Sequence, residues 1–167
     1  MSAARGGITI RFATENDCGL ILHFIRELAL YEKAPEAVVA TEEQLRRFGF
    51  GPERHFEALI AELDGAPVGM ALFHPRFSTW TGTPTVYLED LYVAEAARGH
   101  GVGRRLMARL AKIALQRGWV RIDFAVLNWN PARDFYRKLG FDHLDEWLRY
   151  GAAQGWLERL AAWDEPG

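Results

Sequence analysis

The chain has 167 residues, 49% hydrophobic and 25% charged, which excludes a disordered polypeptide and leaves enough apolar surface for one well-buried core. A formal net charge of -2 and a pI of about 6.2 exclude a global basic field for nucleic acid, and no apolar run reaches the roughly 18 residues that a membrane span needs. A single cysteine, Cys18, excludes an intrachain disulfide and fits a reducing compartment.

Residues 1–7 are small and polar, without the apolar stretch of a signal peptide; they predict a flexible N-terminus ahead of one domain over 8–163, with the cytoplasm as its address. Ile8 to Phe12 reads as a strand. Thr14 with Asp17 forms a capping-box pattern, so a helix follows, its buried stripe Leu20, Ile21, Phe24, Leu28 and Ala29 at helical spacing. Pro35 lies beyond its end. Thr41 with Gln44 opens a second, short helix that stops near Gly49.

The period then changes. Phe56 to Leu63 is strand-like, Asp64-Gly65 is a hairpin signal, and Val68 to Phe73 is the partner strand. Ser78 to Pro84 is a loop carrying Trp80, and Val86 to Val93 is the next strand. The glycine-rich run Ala97–Gly103 leads into a helix with Leu106, Leu110 and Ile113 on one face, ended by Gly118. Val120 to Leu127 is a strand. Pro131 to Leu139 is a short helix with Pro at its start and Gly140 past its end. Glu146 to Tyr150 is a last strand and Ala153 to Ala162 a terminal helix. A hairpin first and a strand–loop–helix–strand unit later predict an α/β fold with a mixed sheet and helices on its faces.

Chemistry concentrates in Tyr87-Leu88-Glu89-Asp90-Leu91-Tyr92-Val93 and the following Arg98-Gly99-His100-Gly101-Val102-Gly103-Arg104. A strand running into a glycine-rich turn that opens a helix aims unpaired N–H groups and the positive end of the helix dipole at one point. Positive-φ glycines and successive N–H groups make an anion nest, and Arg98 and Arg104 add charge-assisted donors. The pattern lacks the Lys-Ser/Thr pair of a nucleotide-triphosphate loop. Arg104 stands where a dinucleotide fold needs a small residue, although Asp123 lies about where its ribose acid would. A tight turn before an amphipathic helix is the purely structural alternative.

Arg98-x-x-Gly101-x-Gly103 after a strand resembles the acetyl-coenzyme A loop of the GCN5-related N-acetyltransferase (GNAT) superfamily. The run Asn130-Pro131-Ala132-Arg133-Asp134-Phe135-Tyr136 with Gly140-Phe141 resembles its second signature. Leu30-Tyr31-Glu32, Phe48-Gly49-Phe50-Gly51, Trp80, Tyr87-Leu88-Glu89-Asp90 and Glu146-Trp147 are most similar to its spermidine/spermine (diamine) N-acetyltransferase group. The resemblance spans about 8–160. Asn130 stands one residue nearer Tyr136 than in many members, and the spacer after Glu146 is missing.

The resemblance implies the GNAT fold, a twisted and mostly antiparallel mixed sheet in which two parallel strands splay, with helices on both faces. It implies acetyl-coenzyme A as cosubstrate, without a metal. The backbone of Leu91, Tyr92 and Val93 would bond the pantetheine arm, with the Val93 N–H on the thioester carbonyl. Arg98, Gly99, His100, Gly101, Val102, Gly103 and Arg104 would hold the diphosphate, and Asn130 and Arg133 would lie nearby. Tyr136 would protonate the departing thiolate.

An alkyl ammonium must lose a proton before it attacks, and Glu89 is the candidate base. Strand alternation puts Glu89 on the face of Tyr87, Leu91 and Val93, and Asp90 on that of Leu88 and Tyr92. The alternative for both is structural pairing with arginines, since unpaired buried charge is costly. Tyr31, Glu32, Trp80, Glu89, Asp90 and Trp147 are candidates to surround a cationic substrate through carboxylates and aromatic faces. His23, His55, His74, His100 and His143 are scattered without ligand spacing, so no metal site is expected.

The expected activity is acetylation of a small primary amine, polyamine or diamine first. Acetylation of a lysine analogue, aminoglycoside or protein amine comes second, and a non-catalytic acyl-CoA-binding module third. The small-molecule amine is the expected partner, with no nucleic acid or membrane, and a homodimer follows from the resemblance alone.

Overall fold

The computed structural model describes residues 7–164; the expected flexible N-terminus therefore lies, except for Gly7, outside the described residues. The chain divides between Arg133 and Asp134 into a larger and a smaller compact unit. Among the described residues no helix is long and apolar enough to cross a membrane.

The larger unit is built on a sheet of order β1-β2-β3-β4-β5: β1 (Ile8–Phe12), β2 (Glu57–Leu63), β3 (Ala66–Ser78), β4 (Thr83–Val93) and β5 (Ile122–Asp123). The first three junctions are antiparallel and β4 meets β5 in parallel. The β2–β3 turn is the expected hairpin: Asp64 and Gly65 both take positive φ, 53° and 82°, which matches the twist of the strands they join. The loop expected over 78–84 is shorter, because Ser78 pairs with Thr83 at the far end of the β3–β4 ladder.

α1 (Cys18–Tyr31) and α2 (Glu42–Phe50) lie in contact with each other, and α1 also contacts β3 and β4. α2 starts as its capping pattern predicts, whereas the Thr14/Asp17 pair caps a 3-10 turn, Glu15–Asp17, that leads into α1. The Asp17 carboxylate accepts from the Thr14 N–H at 2.7 Å, and Thr41 and Gln44 exchange bonds of 3.0 and 3.2 Å. Asp17 also takes both ends of the Arg11 guanidinium, which holds its carboxyl down at about 2, and Arg11 reaches Glu62 on β2. Ile21 and Phe24 are buried as expected. Cys18 and Leu22 are buried too, whereas Leu20, Leu28 and Ala29 are half-buried, because α1 packs on α2 as well as on the sheet. Ala58, Ile60, Met70, Leu72 and Tyr92 complete this core from the strands.

α3 (Val102–Gln116) contacts β1 to β4 and buries Val102, Leu106, Met107, Leu110, Ile113 and Ala114. Successive strand residues point to opposite faces, so Leu59, Ala71 and Phe73 belong to this second core. Gly118, at φ 71°, closes the helix as expected.

α4 (Ala132–Lys138) and α5 (Gln154–Ala161) complete the elements. Two expected strands are corrected. Val120 to Leu127 contracts to Ile122–Asp123, since only these residues find a partner on β4. Glu146 to Tyr150 forms no strand; its alternating pattern permits an extended chain, but a strand needs a neighbour's ladder to satisfy its backbone, and no described residue supplies one.

Gly69 of β3 lies opposite Val93, and a Cβ there would stand 2.7 Å from the Tyr92 carbonyl oxygen. Backbone cannot yield as a side chain can, so Gly69→Ala is expected to cost about 1–3 kcal/mol, read as a lower urea midpoint at unchanged m-value.

Candidate active site

β4 carries one residue too many for its partner. Leu72 pairs with Asp90 and Phe73 with Leu88, so Glu89 is left out of the ladder as a β-bulge. The bulge breaks the alternation that the sequence predicts. Residues directly opposite one another share a face, so Asp90 and Tyr92 lie with Leu72 and Met70 on the α1 side, and Tyr87 lies there with His74. Leu88, Leu91 and Val93 lie on the α3 side, with Phe73, Ala71 and Gly69. Glu89, instead of following Leu91 and Val93, reaches His74 at 3.3 Å, on the α1 side. The extra residue thus aims two consecutive carboxylates the same way, where a regular strand would oppose them.

The bulge also marks where β4 loses its other neighbour. The β5 pairing stops at Tyr87, so among the described residues Glu89 to Val93 run with no strand beyond them. Ala94 donates to Val68 on the β3 side at 2.8 Å; by alternation the Leu91 and Val93 N–H groups point away from β3, to the open edge. Tyr92 differs from its two neighbours: its backbone faces Met70 on β3 and its ring packs against Phe24 at 5.3 Å, so it offers nothing to the edge.

Asp90 is mostly buried, and its carboxyl is pushed up to about 6 by burial first and then by the charges of Glu89 and Glu32. The Glu32 carboxyl, just past α1, is also raised by burial. Neither Asp90 nor Glu89 pairs with an arginine among the described residues. Glu32, Glu89 and Asp90 form an acidic cluster on one side of the open edge, and it favours a cation there.

The glycine-rich turn takes the expected form. Gly99 and Gly101 have φ of 80° and 85°, and Gly101 caps α3 without a side-chain bond. From Gly99 to Arg104, across the turn at 98–101, no backbone N–H makes a close, well-aligned hydrogen bond among the described residues. Nothing lies within 4 Å of a Cβ added at Gly99 or Gly101, so the concavity is open. These donors at a helix N-terminus, beside a bare strand edge, fit a diphosphate followed by an extended polar arm. Val102 is buried and serves the core, while Arg104 is exposed on the first turn. His100 donates through Nδ1 to the Arg98 carbonyl at 3.1 Å.

Arg98 does more than the sequence suggests. Its Nε donates to the Val93 carbonyl at 3.0 Å, and its guanidinium covers the Tyr31 ring at 5.0 Å. The Tyr31 hydroxyl donates at 3.3 Å to Oδ1 of Asn130, which is buried and also accepts the Ala132 N–H at 2.8 Å. Tyr31, Arg98 and Asn130 thereby link α1, the glycine turn, β4 and the start of α4. Arg133 is turned back onto the Asn128 carbonyl at 2.8 Å. Trp80 is exposed between β3 and β4. In the smaller unit, Tyr136 packs edge-on against Phe135 and Phe141, and Trp147 follows a turn, its N–H on the Leu144 carbonyl. His74 is the residue that sequence reasoning missed. The available signal was its place on the strand hairpin-paired to Tyr87–Val93.

Residues 23–141 match the model of the Acetyltransferase (GNAT) family. The chain belongs to that family. The thialysine N-epsilon-acetyltransferase of Sus scrofa is 43% identical over 158 residues, 89% of each chain. Spermidine/spermine N(1)-acetyltransferase-like protein 1 of Homo sapiens is 35% identical, over 88% of this chain and 21% of that protein. An integron cassette protein from V. cholerae superposes with a TM-score of 0.77 at 26% identity, covering 92% of this chain and 97% of that one. The resemblance to the diamine acetyltransferase group, the mixed-sheet fold and the assignment as an N-acetyltransferase all stand.

A carboxyl raised by burial costs the acetyltransferase stability once ionised. That cost is absent where Asp90 is protonated in the folded chain, and it grows as pH rises from about 4, its unfolded value, through about 6. Asp90→Asn is therefore expected to stabilise the fold on the order of 2–3 kcal/mol at pH 8, the gain shrinking toward pH 5, as measured by denaturant unfolding at both values. An equal loss at both would reveal a cation partner for Asp90.

Proposed function

We propose that this acetyltransferase moves an acetyl group from acetyl-coenzyme A to a primary amine of a small cationic molecule, a diamine or polyamine. The observation that carries the reading is the acidic cluster of Glu32, Glu89 and Asp90 beside the bare edge of β4. An ammonium is stabilised there, and a substrate's own carboxylate is repelled.

Bound acetyl-coenzyme A supplies the activated acetyl thioester. The backbone N–H groups of Gly99 to Arg104 receive its diphosphate, and the Leu91–Val93 edge bonds its amide-bearing arm. The Val93 N–H donates to the thioester carbonyl oxygen, a contact worth about 2–4 kcal/mol in comparable sites. Glu32 and Asp90 hold the substrate's distal cation. Glu89 removes the proton from the attacking ammonium, directly or through one water. As nitrogen bonds the acetyl carbon and the carbon–sulfur bond breaks, the Tyr136 hydroxyl would give its proton to sulfur, and the second proton leaving nitrogen would return through water to the Tyr136 oxygen. The protein's contribution is alignment plus proton management.

A second reading, acetylation of the side-chain amine of a lysine analogue, is favoured by the thialysine N-epsilon-acetyltransferases at 42–43% identity. The two part on charge: that substrate's α-carboxylate must lie away from the cluster. A panel of diamines, polyamines, lysine and thialysine, compared by kcat/KM with acetyl-coenzyme A, decides between them. Diamines are expected to lead. Coenzyme binding without turnover of any amine would indicate an acyl-CoA-binding module. In the same assay Glu89→Gln is expected to lower kcat/KM about 100-fold or more. Tyr136→Phe should lower kcat while leaving the KM for acetyl-coenzyme A near that of the wild type.

A further inference from the structure

The β3–β4 ladder sets His74 opposite Tyr87, and its ring lies tilted on the tyrosine at 5.3 Å. Nδ1 stands 3.2 Å from the Pro75 carbonyl oxygen, and Nε2 stands 3.3 Å from Oε2 of Glu89. A carbonyl can only accept, so Nδ1 carries a proton. An ionised carboxylate also only accepts, so the Nε2 contact is a hydrogen bond only when one further proton lies between ring and carboxylate. The ring therefore has a fixed tautomer: neutral His74 keeps its proton on Nδ1 and turns a bare, basic Nε2 toward Glu89.

We propose that His74 is the proton relay behind Glu89, acting through that carboxylate on the amine. The inference rests on the reading of Glu89 as base. In the productive state the space between Nε2 and Oε2 holds no proton. The ammonium proton passes to Glu89, and from there to the bare Nε2 that faces it, a neutral imidazole nitrogen being a good proton acceptor. His74 becomes imidazolium and Glu89 is again an anion. The side chains are 32% and 53% exposed, so Nε2 then releases the proton to water.

Tyr87 lies under the ring, Arg76 covers the same tyrosine at 5.5 Å, and Asp90 and Glu32 are the acids beyond Glu89. No described arginine or lysine pairs with Glu89 in place of His74. The relay also gives the bulge a further use: it turns the Glu89 carboxylate to the side where His74 stands.

The test has a catalytic arm and a ligand-free arm. His74→Gln, which can donate at the same place but cannot bind a further proton, is expected to lower kcat about tenfold or more. Its acidic limb of kcat/KM should move from the imidazole range toward the carboxylate range, with the KM for acetyl-coenzyme A held. His74→Ala should be slow and regain rate with added imidazole. In the ligand-free protein, 1H–15N spectra of labelled histidine should show His74 with its proton on Nδ1 at pH 8.5. A slow Glu89→Gln beside a His74→Gln with wild-type rate and limb overturns the relay alone, as does a neutral His74 protonated on Nε2. A Glu89→Gln with wild-type rate overturns the base assignment, and the relay with it.

Discussion

At Glu89 the β3–β4 ladder admits one residue that β3 cannot pair, and most of the site's geometry follows from that mismatch. Upstream of it, Val86 and Tyr87 pair with β5; downstream, Leu91 and Val93 present their backbone to no strand among the described residues. A sheet interior normally satisfies every N–H and C=O. An internal strand with a bare edge is therefore costly unless something extended and polar lies along it. The same bulge rotates Glu89 and Asp90 onto one side, where burial first, and the charges of Glu89 and Glu32 after it, raise Asp90 to about 6. Backbone donors, a cation-seeking cluster and the His74 contact thus have one origin in register.

The surroundings support that mismatch from both faces. On the α1 side, Phe24 pins Tyr92 and with it the strand. On the α3 side, Gly69 lets the β3 backbone come within van der Waals reach of the Tyr92 carbonyl, beside Val102. Arg98 then ties the end of β4 to the end of α1 by bonding Val93 and covering Tyr31. The glycine turn lies between these anchors. Its donors are held in place by packing of the helix behind them, chiefly Val102 and Leu106, and not by any side-chain cap of their own.

Much of this was legible in the residue order, because the relevant signals are local. Capping pairs Thr14/Asp17 and Thr41/Gln44, the Asp64-Gly65 turn and the positive-φ glycines at 99, 101, 118 and 140 depend on the conformational preferences of a few neighbouring residues. The helix faces of α3 followed from spacing. The motif residues from Tyr87 to Arg104 also came to lie on the strand, turn and helix that their pattern predicts.

What escaped the sequence depends on residues far apart in the chain. Alternation along β4 fails at Glu89 because a bulge is a property of two strands, and nothing within Tyr87–Val93 shows that Phe73 skips a partner. The strand expected over Val120–Leu127 shortens for a related reason, since only Ile122 and Asp123 find ladder partners on β4. His74 looked like one scattered histidine among five until the hairpin laid it against Tyr87 and Glu89. Residue types and short-range geometry decided that this chain belongs with the amine acetyltransferases. Long-range register alone decided which carboxylates meet, which backbone groups stay bare and which imidazole stands beside them, because hydrogen-bond partners across a sheet are chosen only when the strands are laid side by side.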